Sequence, residues 1–263
     1  MKIDKNMPIG FLDSGLGGLS VLKEAIQVMP GEDFLYYGDS ANAPYGTKPK
    51  KEIQKLTFGV AEKLIERGIK ALVVACNTAS GAALHELRKA YPDLIIVGIE
   101  PAIKPAAICS KGGKILVLAT PMTLEQDKFQ NLYASYKGQA NMELVPCKGL
   151  MEFVEDGVLN GPELDQYFDD VIAPNLTDEV ESIVLGCTHY PFLKPYLEEK
   201  LDGRGIALID GSLGTAAELK RRLIEADLLN DKEHQGDVEI INSIENEEMI
   251  ERSFWLLDQP LNK

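Results

Sequence analysis

Two cysteines stand at matching places in two similar stretches of the sequence. Cys76 ends the apolar run of residues 71–78 (ALVVACNT), and Cys187 ends that of residues 182–189 (SIVLGCTH). Each run is typical of a buried strand, and the polar residues after each cysteine are typical of a helix start. Free N–H groups and the dipole at a helix N-terminus favour a thiolate. Two matched thiols therefore predict chemistry that needs two similar groups, such as proton transfer on opposite faces of one carbon.

The composition is that of an ordinary globular protein. The chain has 263 residues, of which 45% are hydrophobic and 26% charged, and this length allows a large core and two domains. A net charge of −14 argues against nucleic acid or an anionic membrane as a partner, because both require a concentrated basic surface. An acidic small ligand is compatible with this charge, since local backbone N–H groups can bind a carboxylate.

Neither a secretion signal nor a metal site is evident in the sequence. Residues 1–6 lack the apolar core of a signal peptide and no run approaches membrane-spanning length, so we expect a cytoplasmic protein. The four cysteines and three histidines show no zinc-binding spacing, which predicts reduced thiols and no metal. For Cys109 and Cys147 we expect only the role of small buried hydrophobic residues.

Strand-like and helix-like segments alternate along the chain. Several of the strand-like runs are almost continuously apolar and β-branched, which is typical of parallel strands covered on both faces. Strands are predicted at residues 8–13, 34–38, 71–75, 94–99, 114–119, 142–146, 182–186 and 206–210, and helices at 50–67, 81–91, 161–172 and 213–228. The sequence thus predicts an α/β protein with mainly parallel sheets.

A weak internal repeat predicts two similar α/β domains. Residues 71–100 and 182–211 share the order strand, cysteine, helix, and a second strand that ends near an acidic residue. We expect residues 1–98 with 210–263 to form the first domain, which carries Asp13 and Cys76. Residues 99–209 are expected to form the second, which carries Cys187 and His189. The active groups would lie at the carboxyl ends of the strands, in a cleft between the domains.

The glycine cluster of residues 13–20 (DSGLGGLS) allows two interpretations. It follows a predicted strand, and Asp39 ends the next one, about where a dinucleotide-binding unit has its ribose-binding acid. However, Ser20 occupies the position of the third glycine, and Asp13 at the strand tip would repel a pyrophosphate. We therefore favour a tight turn, with glycines at positive φ, that presents Asp13 and Ser14 to a small ligand.

Two further segments carry polar residues beside predicted strand ends. The loop of residues 38–46 (GDSANAPYG) is predicted to contact a ligand, although an Asp/Pro turn that only routes the chain is the alternative. His189 lies two positions after Cys187, where it can tune or exchange the proton of the thiol. His85 and His234 have no such neighbours. Trp255 is expected to anchor the C-terminal segment by packing.

Over nearly its whole length the sequence resembles the glutamate racemases of the aspartate/glutamate racemase group. The resemblance rests on four motifs in the same order, namely GFLDSGLGG (10–18), GDS with PYG (38–40 and 44–46), ACNTAS (75–80) and LGCTHYP (185–191). It implies interconversion of L- and D-glutamate without a cofactor, supply of D-glutamate for bacterial peptidoglycan, and a homodimer.

The resemblance also implies roles for individual residues. Cys76 would take the proton from D-glutamate with help from Asp13, and Cys187 would take it from L-glutamate with help from His189 and Glu155. The residues at the family's substrate-contact positions are Asp13, Ser14, Tyr45, Gly46, Asn77, Thr78, Thr188 and His189, and Thr120 and Thr123 would lie on the α-carboxylate side.

Physical chemistry sets a requirement for such a reaction. The Cα–H bond is weakly acidic, and no lysine motif indicates pyridoxal phosphate, so fixed hydrogen bonds to the α-carboxylate must stabilise the carbanion-like state. Ser14, Asn77, Thr78 and Thr188 are suited to this role. Three alternatives remain, which are a racemase for aspartate or another amino acid, a dinucleotide-dependent oxidoreductase, and a non-catalytic amino-acid-binding module.

Overall fold

Nine β-strands run through the part of the chain that the structure describes. The structure is a computed structural model that describes residues 3–230 and 234–261. The strands are β1 (Ile9–Asp13), β2 (Phe34–Gly38), β3 (Ala71–Val74), β4 (Ile95–Gly98), β5 (Lys114–Ala119), β6 (Asn141–Pro146), β7 (Val180–Leu185), β8 (Ala207–Asp210) and β9 (Val238–Asn242). All eight predicted strands are present, each within two residues of its expected bounds.

The strands form two separate parallel sheets. The first sheet has the order β4-β3-β1-β2-β9 and the second the order β6-β5-β7-β8, with every neighbouring pair parallel. This confirms the predicted α/β class with two mainly parallel sheets. β9 was not predicted, because it is a short edge strand with alternate residues partly exposed and so lacks a continuous apolar run.

Eleven α-helices lie between and after these strands in the described residues. They are α1 (Leu19–Val28), α2 (Lys50–Glu66), α3 (Asn77–Ala90), α4 (Ile103–Cys109), α5 (Pro121–Glu125), α6 (Asp127–Tyr136), α7 (Leu150–Glu155), α8 (Pro162–Tyr167), α9 (Lys194–Lys200), α10 (Ser212–Glu225) and α11 (Glu247–Asp258). Two of the predicted helices differ in detail. The helix expected at 81–91 begins at Asn77, directly after Cys76, and the one expected at 161–172 changes to a π-helical turn at Phe168–Ile172.

The core explains why the central strands are so apolar. Every residue of β1, β2 and β3 is buried, as expected for strands with helices on both faces. The segment after β8 returns to the first sheet, because β9 pairs with β2 while α10 and α11 pack against α1. The domain boundaries at residues 98 and 209 stay a prediction.

Two predictions about individual side chains are wrong. Cys109 is exposed, whereas Cys147 is buried as expected. Trp255 does not anchor α11 by burial, because its side chain is 41% exposed and the buried residues of that helix are Ser253 and Leu256. Within residues 3–230 and 234–261, none of the helices combines the length and the apolar character that crossing a bilayer requires.

Candidate active site

Cys76 lies between the end of β3 and the start of α3. Its buried Sγ accepts a hydrogen bond from the Ala79 N–H at 3.5 Å, so the thiol itself caps the helix. On its other side Sγ lies 3.4 Å from the hydroxyl oxygen of Ser14, in the loop after β1. These contacts fix the direction of the thiol without covering it completely.

The electrostatic setting of Cys76 differs from the prediction. Burial raises the pKa of the Cys76 thiol to about 12, and the charge of Asp13 acts in the same direction. The hydrogen bonds from Ser14 and Ala79 lower this pKa but do not offset burial. The helix N-terminus thus favours the thiolate as expected, but burial outweighs it, and with a pKa of about 12 Cys76 is a protonated thiol at neutral pH.

Asp13 is the last residue of β1 and is almost completely buried. Its Oδ2 accepts the N–H of Gly15 at 2.9 Å, and its Oδ1 has no hydrogen-bond partner among the described residues. Burial raises the pKa of Asp13, although the positive charge of His189 and the backbone N–H groups counteract part of this effect. A carboxyl group of raised pKa beside a thiol is a candidate to exchange a proton with that thiol.

Cys187 begins a linear arrangement with His189 and Glu155. Its Sγ lies 3.5 Å from Nδ1 of His189, and Nε2 of the same ring donates to Oε1 of Glu155 at 2.6 Å. Burial lowers the pKa of His189, but the hydrogen bonds to Cys187 and Glu155 outweigh it and raise this pKa well above its ordinary value. Burial raises the pKa of Glu155, but the contact with His189 holds it below its usual range. The result is a buried imidazolium–carboxylate pair whose positive ring faces a sulfur.

The two cysteines are less alike in the structure than in the sequence. Cys76 is followed directly by a long helix, whereas Cys187 is followed by a turn, a 3-10 segment at Tyr190–Leu193, and only then α9. Cys187 therefore has no helix N-terminus against its sulfur. His189 supplies the positive electrostatic environment that α3 supplies, in part, to Cys76.

The glycine cluster makes room for the Cys187 arrangement. A Cβ on Gly17 would lie 2.3 Å from Nδ1 of His189, and a Cβ on Gly15 would lie 2.2 Å from Oε1 of Glu155. The N–H of Leu16 donates to that same Glu155 oxygen at 2.8 Å. The prediction that these glycines adopt positive φ is wrong; close approach of side chains explains them instead. Because Glu155 and His189 fill the space beside the loop, a pyrophosphate does not fit there, which argues against the dinucleotide alternative.

One cavity brings together nearly all the predicted site residues. Its lining comprises both cysteines and residues of both sheets, namely Ser14, Tyr45, Gly46, Cys76, Asn77, Thr78, Thr120, Thr123, Met151, Cys187, Thr188 and His189. Asp13 and Glu155 lie behind this lining, since Asp13 packs under the glycine loop and Glu155 reaches the cavity only through His189. Met151 was not predicted, because a methionine within the apolar pattern of α7 gives no sequence signal that distinguishes it from core.

Polar side chains line the cavity from both sides. Thr120 caps α5 and donates to Thr123, whose hydroxyl lies 3.5 Å from that of Thr78 in α3. The Oδ1 of Asn77 is buried and has no hydrogen-bond partner among the described residues, so it is an acceptor available to a ligand. The cavity thus offers hydroxyl groups that can bind a carboxylate and an acceptor that can bind an ammonium group.

Tyr45 is held in the wall by the loop that the sequence singled out. Its hydroxyl donates to Oδ2 of Asp39 at 2.7 Å, and Asn42 donates to both oxygens of the same carboxylate. Asp39 therefore orders the loop and does not contact the cavity. The loop has more than a routing role, since Tyr45 and Gly46 both line the cavity.

The cavity is narrow. The centre of a water molecule can move through only about 20 Å³ of it, which is room for about one water molecule. An amino acid the size of glutamate is several times larger than this space and does not fit the cavity in the conformation of this structure. A larger cavity of about 490 Å³ lies between α2, α3, α5 and α6, but none of the predicted catalytic residues lines it. No group of His, Cys, Asp and Glu suited to hold a metal occurs within the described ranges.

Comparisons with known proteins give a consistent result. The Asp/Glu/Hydantoin racemase family model matches residues 14–219. The chain is 54% identical to the glutamate racemase of Clostridium novyi over 244 residues, which cover 93% of this chain and 94% of that protein.

Two solved structures extend this similarity. The glutamate racemase of Francisella tularensis in complex with D-glutamate is 28% identical with a TM-score of 0.82, over 96% of this chain and 94% of that one. The Escherichia coli glutamate racemase in complex with L-glutamate and the activator UDP-MurNAc-Ala also has 28% identity and a TM-score of 0.82, over 95% and 94% of the two chains.

Proposed function

Because this chain belongs to the Asp/Glu/Hydantoin racemase family, we propose that it interconverts L- and D-glutamate by proton transfer between two cysteines. The observation that carries the proposal is the cavity itself, which Cys76 lines from the first sheet and Cys187 from the second. A thiol on each side of one small site is the arrangement that inversion of a carbon centre needs. The neighbouring structures with D- and L-glutamate bound support glutamate as the substrate.

The surroundings of the two sulfurs favour Cys187 as the base of the first step. The sulfur of Cys187 lies 3.5 Å from Nδ1 of His189, whose pKa is raised well above its ordinary value, while burial raises the pKa of the Cys76 thiol to about 12. Cys187 then removes the Cα proton of L-glutamate, and the Cys76 thiol delivers its own proton to the opposite face. The product is D-glutamate, with a thiol on Cys187 and a thiolate on Cys76. In the reverse reaction Cys76 removes the proton and Cys187 delivers it.

The carbanion-like state requires hydrogen bonds to the α-carboxylate. Well-aimed donors contribute about 3–4 kcal/mol each in mutational tests on other enzymes. Thr78, Thr120 and Thr123 form a chain of hydroxyls across the cavity and can supply such donors. The free Oδ1 of Asn77 matches the α-ammonium group. We assign the chemistry to these groups and the two thiols, without a cofactor.

The proposed role of the reaction is the supply of D-glutamate for peptidoglycan in the cytoplasm, by a homodimer. These parts of the proposal rest on the family resemblance. Size-exclusion chromatography with light scattering tests the dimer, and D-glutamate auxotrophy on deletion of the gene tests the role in the cell.

Proton NMR of the purified protein in D2O, without added cofactor, tests the reaction. We expect the Cα–H signal of L-glutamate and of D-glutamate to disappear, and each enantiomer to become the same racemic mixture. If the Cα–H signal of aspartate or alanine disappeared at a comparable rate, the substrate would be a different amino acid or the enzyme would accept several amino acids. A signal that persists from both glutamate enantiomers with folded protein would reject the proposal.

Alkylation by iodoacetamide at pH 8 is expected to modify Cys187 about tenfold or more faster than Cys76. The thiol of Cys76 is buried and its pKa is raised to about 12, whereas Cys187 is partly exposed beside the protonated His189. Peptide mass spectrometry over a time course measures both rates, with the exposed Cys109 as an internal reference. Equal rates, or faster reaction at Cys76, would contradict the proposed difference in surroundings between the two sulfurs.

A further inference from the structure

An arginine of the C-terminal helix contacts the far end of the Cys187 arrangement. Nη1 of Arg252, in α11, donates to the backbone oxygen of Glu155 at 2.7 Å. Nη2 of the same guanidinium donates to Glu248, one turn earlier on α11, also at 2.7 Å. Arg252 thus binds the main chain of the residue whose carboxylate holds His189.

The end of α7 explains why this contact matters. Gly157 has a φ of +76°, its N–H donates to Val154, and the N–H of Val158 donates to Phe153, so the helix ends in a Schellman motif. The remaining N–H in this turn, that of Asp156, donates to Glu152. The Glu155 carbonyl is left without a donor from the turn, and Arg252 provides one. A positive charge there also interacts favourably with the carbonyl end of a helix.

We propose that Arg252 is a positioning residue that fixes the backbone of Glu155 and thereby holds His189 against Cys187. The positive charge of Arg252 also contributes to the lowered pKa of Glu155. The chain of contacts runs from Arg252 through Glu155 and His189 to the sulfur of Cys187. Within residues 3–230 and 234–261, no chain of hydrogen bonds of this kind connects Arg252 to Cys76.

The position of α11 gives this contact a second consequence. α11 packs against β9, an edge strand of the first sheet, and against α1, the helix that follows β1 of that sheet, whereas Glu155 ends α7, which follows the second sheet's strand β6. Arg252 and the N–H of Leu16, in the loop between β1 and α1, therefore both connect Glu155 to segments that pack with the first sheet.

Replacement of Arg252 by alanine tests the proposal through the reactivity of the two cysteines. We expect alkylation of Cys187 to slow by about three- to tenfold while that of Cys76 stays within a factor of two, and kcat/KM to fall about tenfold. Methylguanidinium is expected to restore part of the loss, because Arg252 lines an open surface cavity with Glu248, Glu251 and Trp255. Circular dichroism and the melting temperature report whether the variant is folded.

Two variants serve as matched controls. Glu248→Gln removes the exposed partner of Arg252 and leaves the bond to Glu155, so both alkylation rates should match the wild type. Arg221→Ala removes a surface arginine whose side chain bonds only Glu218 and Glu225 among the described residues, and methylguanidinium should have no effect on it. Arg252→Lys keeps the charge without the planar fork and is expected to lie between Arg252→Ala and the wild type.

The outcomes separate this proposal from the proposed function. Equal slowing at Cys76 and Cys187 would show a general structural role and overturn the proposal, as would an unchanged Cys187 rate in Arg252→Ala. The activity readout rests on the proposed racemisation, but the alkylation readout needs no turnover. A wild type without racemase activity would therefore reject the proposed function and leave the positioning role to be decided by alkylation.

Discussion

Alanine at either Cys76 or Cys187 is expected to lower kcat/KM for glutamate racemisation by about 10³-fold or more. Each thiol removes the proton from one enantiomer and delivers it to the other, so neither direction proceeds with one thiol missing. The equilibrium constant between enantiomers is one, and kcat/KM must therefore fall by the same factor for L- and D-glutamate. Coupled assays or polarimetry with each enantiomer measure the two values.

Solvent exchange distinguishes the roles of the two thiols. With Cys76→Ala, the remaining Cys187 can still remove the proton of L-glutamate and return a deuteron to the same face. We expect slow loss of the Cα–H signal of L-glutamate in D2O without formation of D-glutamate, and no comparable loss from D-glutamate. Cys187→Ala should show the opposite preference.

Cys109→Ala is the matched control for these substitutions, because Cys109 is an exposed thiol that does not line the cavity. Its kcat/KM should equal that of the wild type. Near-normal racemisation by either of the other two alanine variants would contradict a mechanism with two thiols.

The strands and the cavity lining could be predicted because one physical rule governs both. Central parallel strands are buried on both faces and read as apolar runs, and polar residues that follow such runs meet at the carboxyl edge of the sheet. Cys76, Asn77 and Thr78 follow β3, and Cys187, Thr188 and His189 follow β7. Their positions relative to strands were therefore available from the sequence.

Features that depend on contacts distant in sequence could not be predicted in this way. The glycine loop suggests positive φ locally, yet its glycines are needed because Glu155 and His189 occupy the neighbouring space. The Arg252 contact joins α11 to the end of α7, and the sequence of α11 shows only an ordinary amphipathic helix. The raised pKa of Cys76 follows from burial, which outweighs the helix N-terminus that the sequence suggested.

The asymmetry of the two thiols is also a property of the tertiary structure. Cys76 is buried against Ser14 and the start of α3. The sulfur of Cys187 lies beside His189, whose ring in turn binds the carboxylate of Glu155 at the end of α7. Similar sequences thus give a neutral thiol on one side and a charged pair on the other. The proposed reaction needs one thiol and one thiolate at a time, and the different surroundings make the two sulfurs unequal before substrate binds.

Gly17→Ala is expected to lower kcat/KM by about 10²-fold, which is the effect of misplacing a catalytic group by about 1 Å. The φ angle of Gly17 is not positive, so the backbone accepts alanine without strain. The new Cβ would lie 2.3 Å from Nδ1 and 2.5 Å from Cε1 of His189. His189 is buried and bound to Glu155, so its ring must move and its 3.5 Å contact with Cys187 is lost.

The fold should survive Gly17→Ala, because overpacking at one buried position costs about 1–3 kcal/mol of unfolding free energy. Gly59→Ala is the matched control, since Gly59 lies within α2 and a Cβ there would have no heavy atom within 4 Å. Alanine at position 59 should leave kcat/KM unchanged and stabilise the helix by about 0.5–1 kcal/mol.

We expect alkylation of Cys187 to slow in Gly17→Ala and that of Cys76 to change little. Wild-type kcat/KM together with wild-type Cys187 reactivity in Gly17→Ala would mean that the glycine loop does not set the position of His189. In that event the close packing of Gly17 against His189 would not be needed for proton transfer.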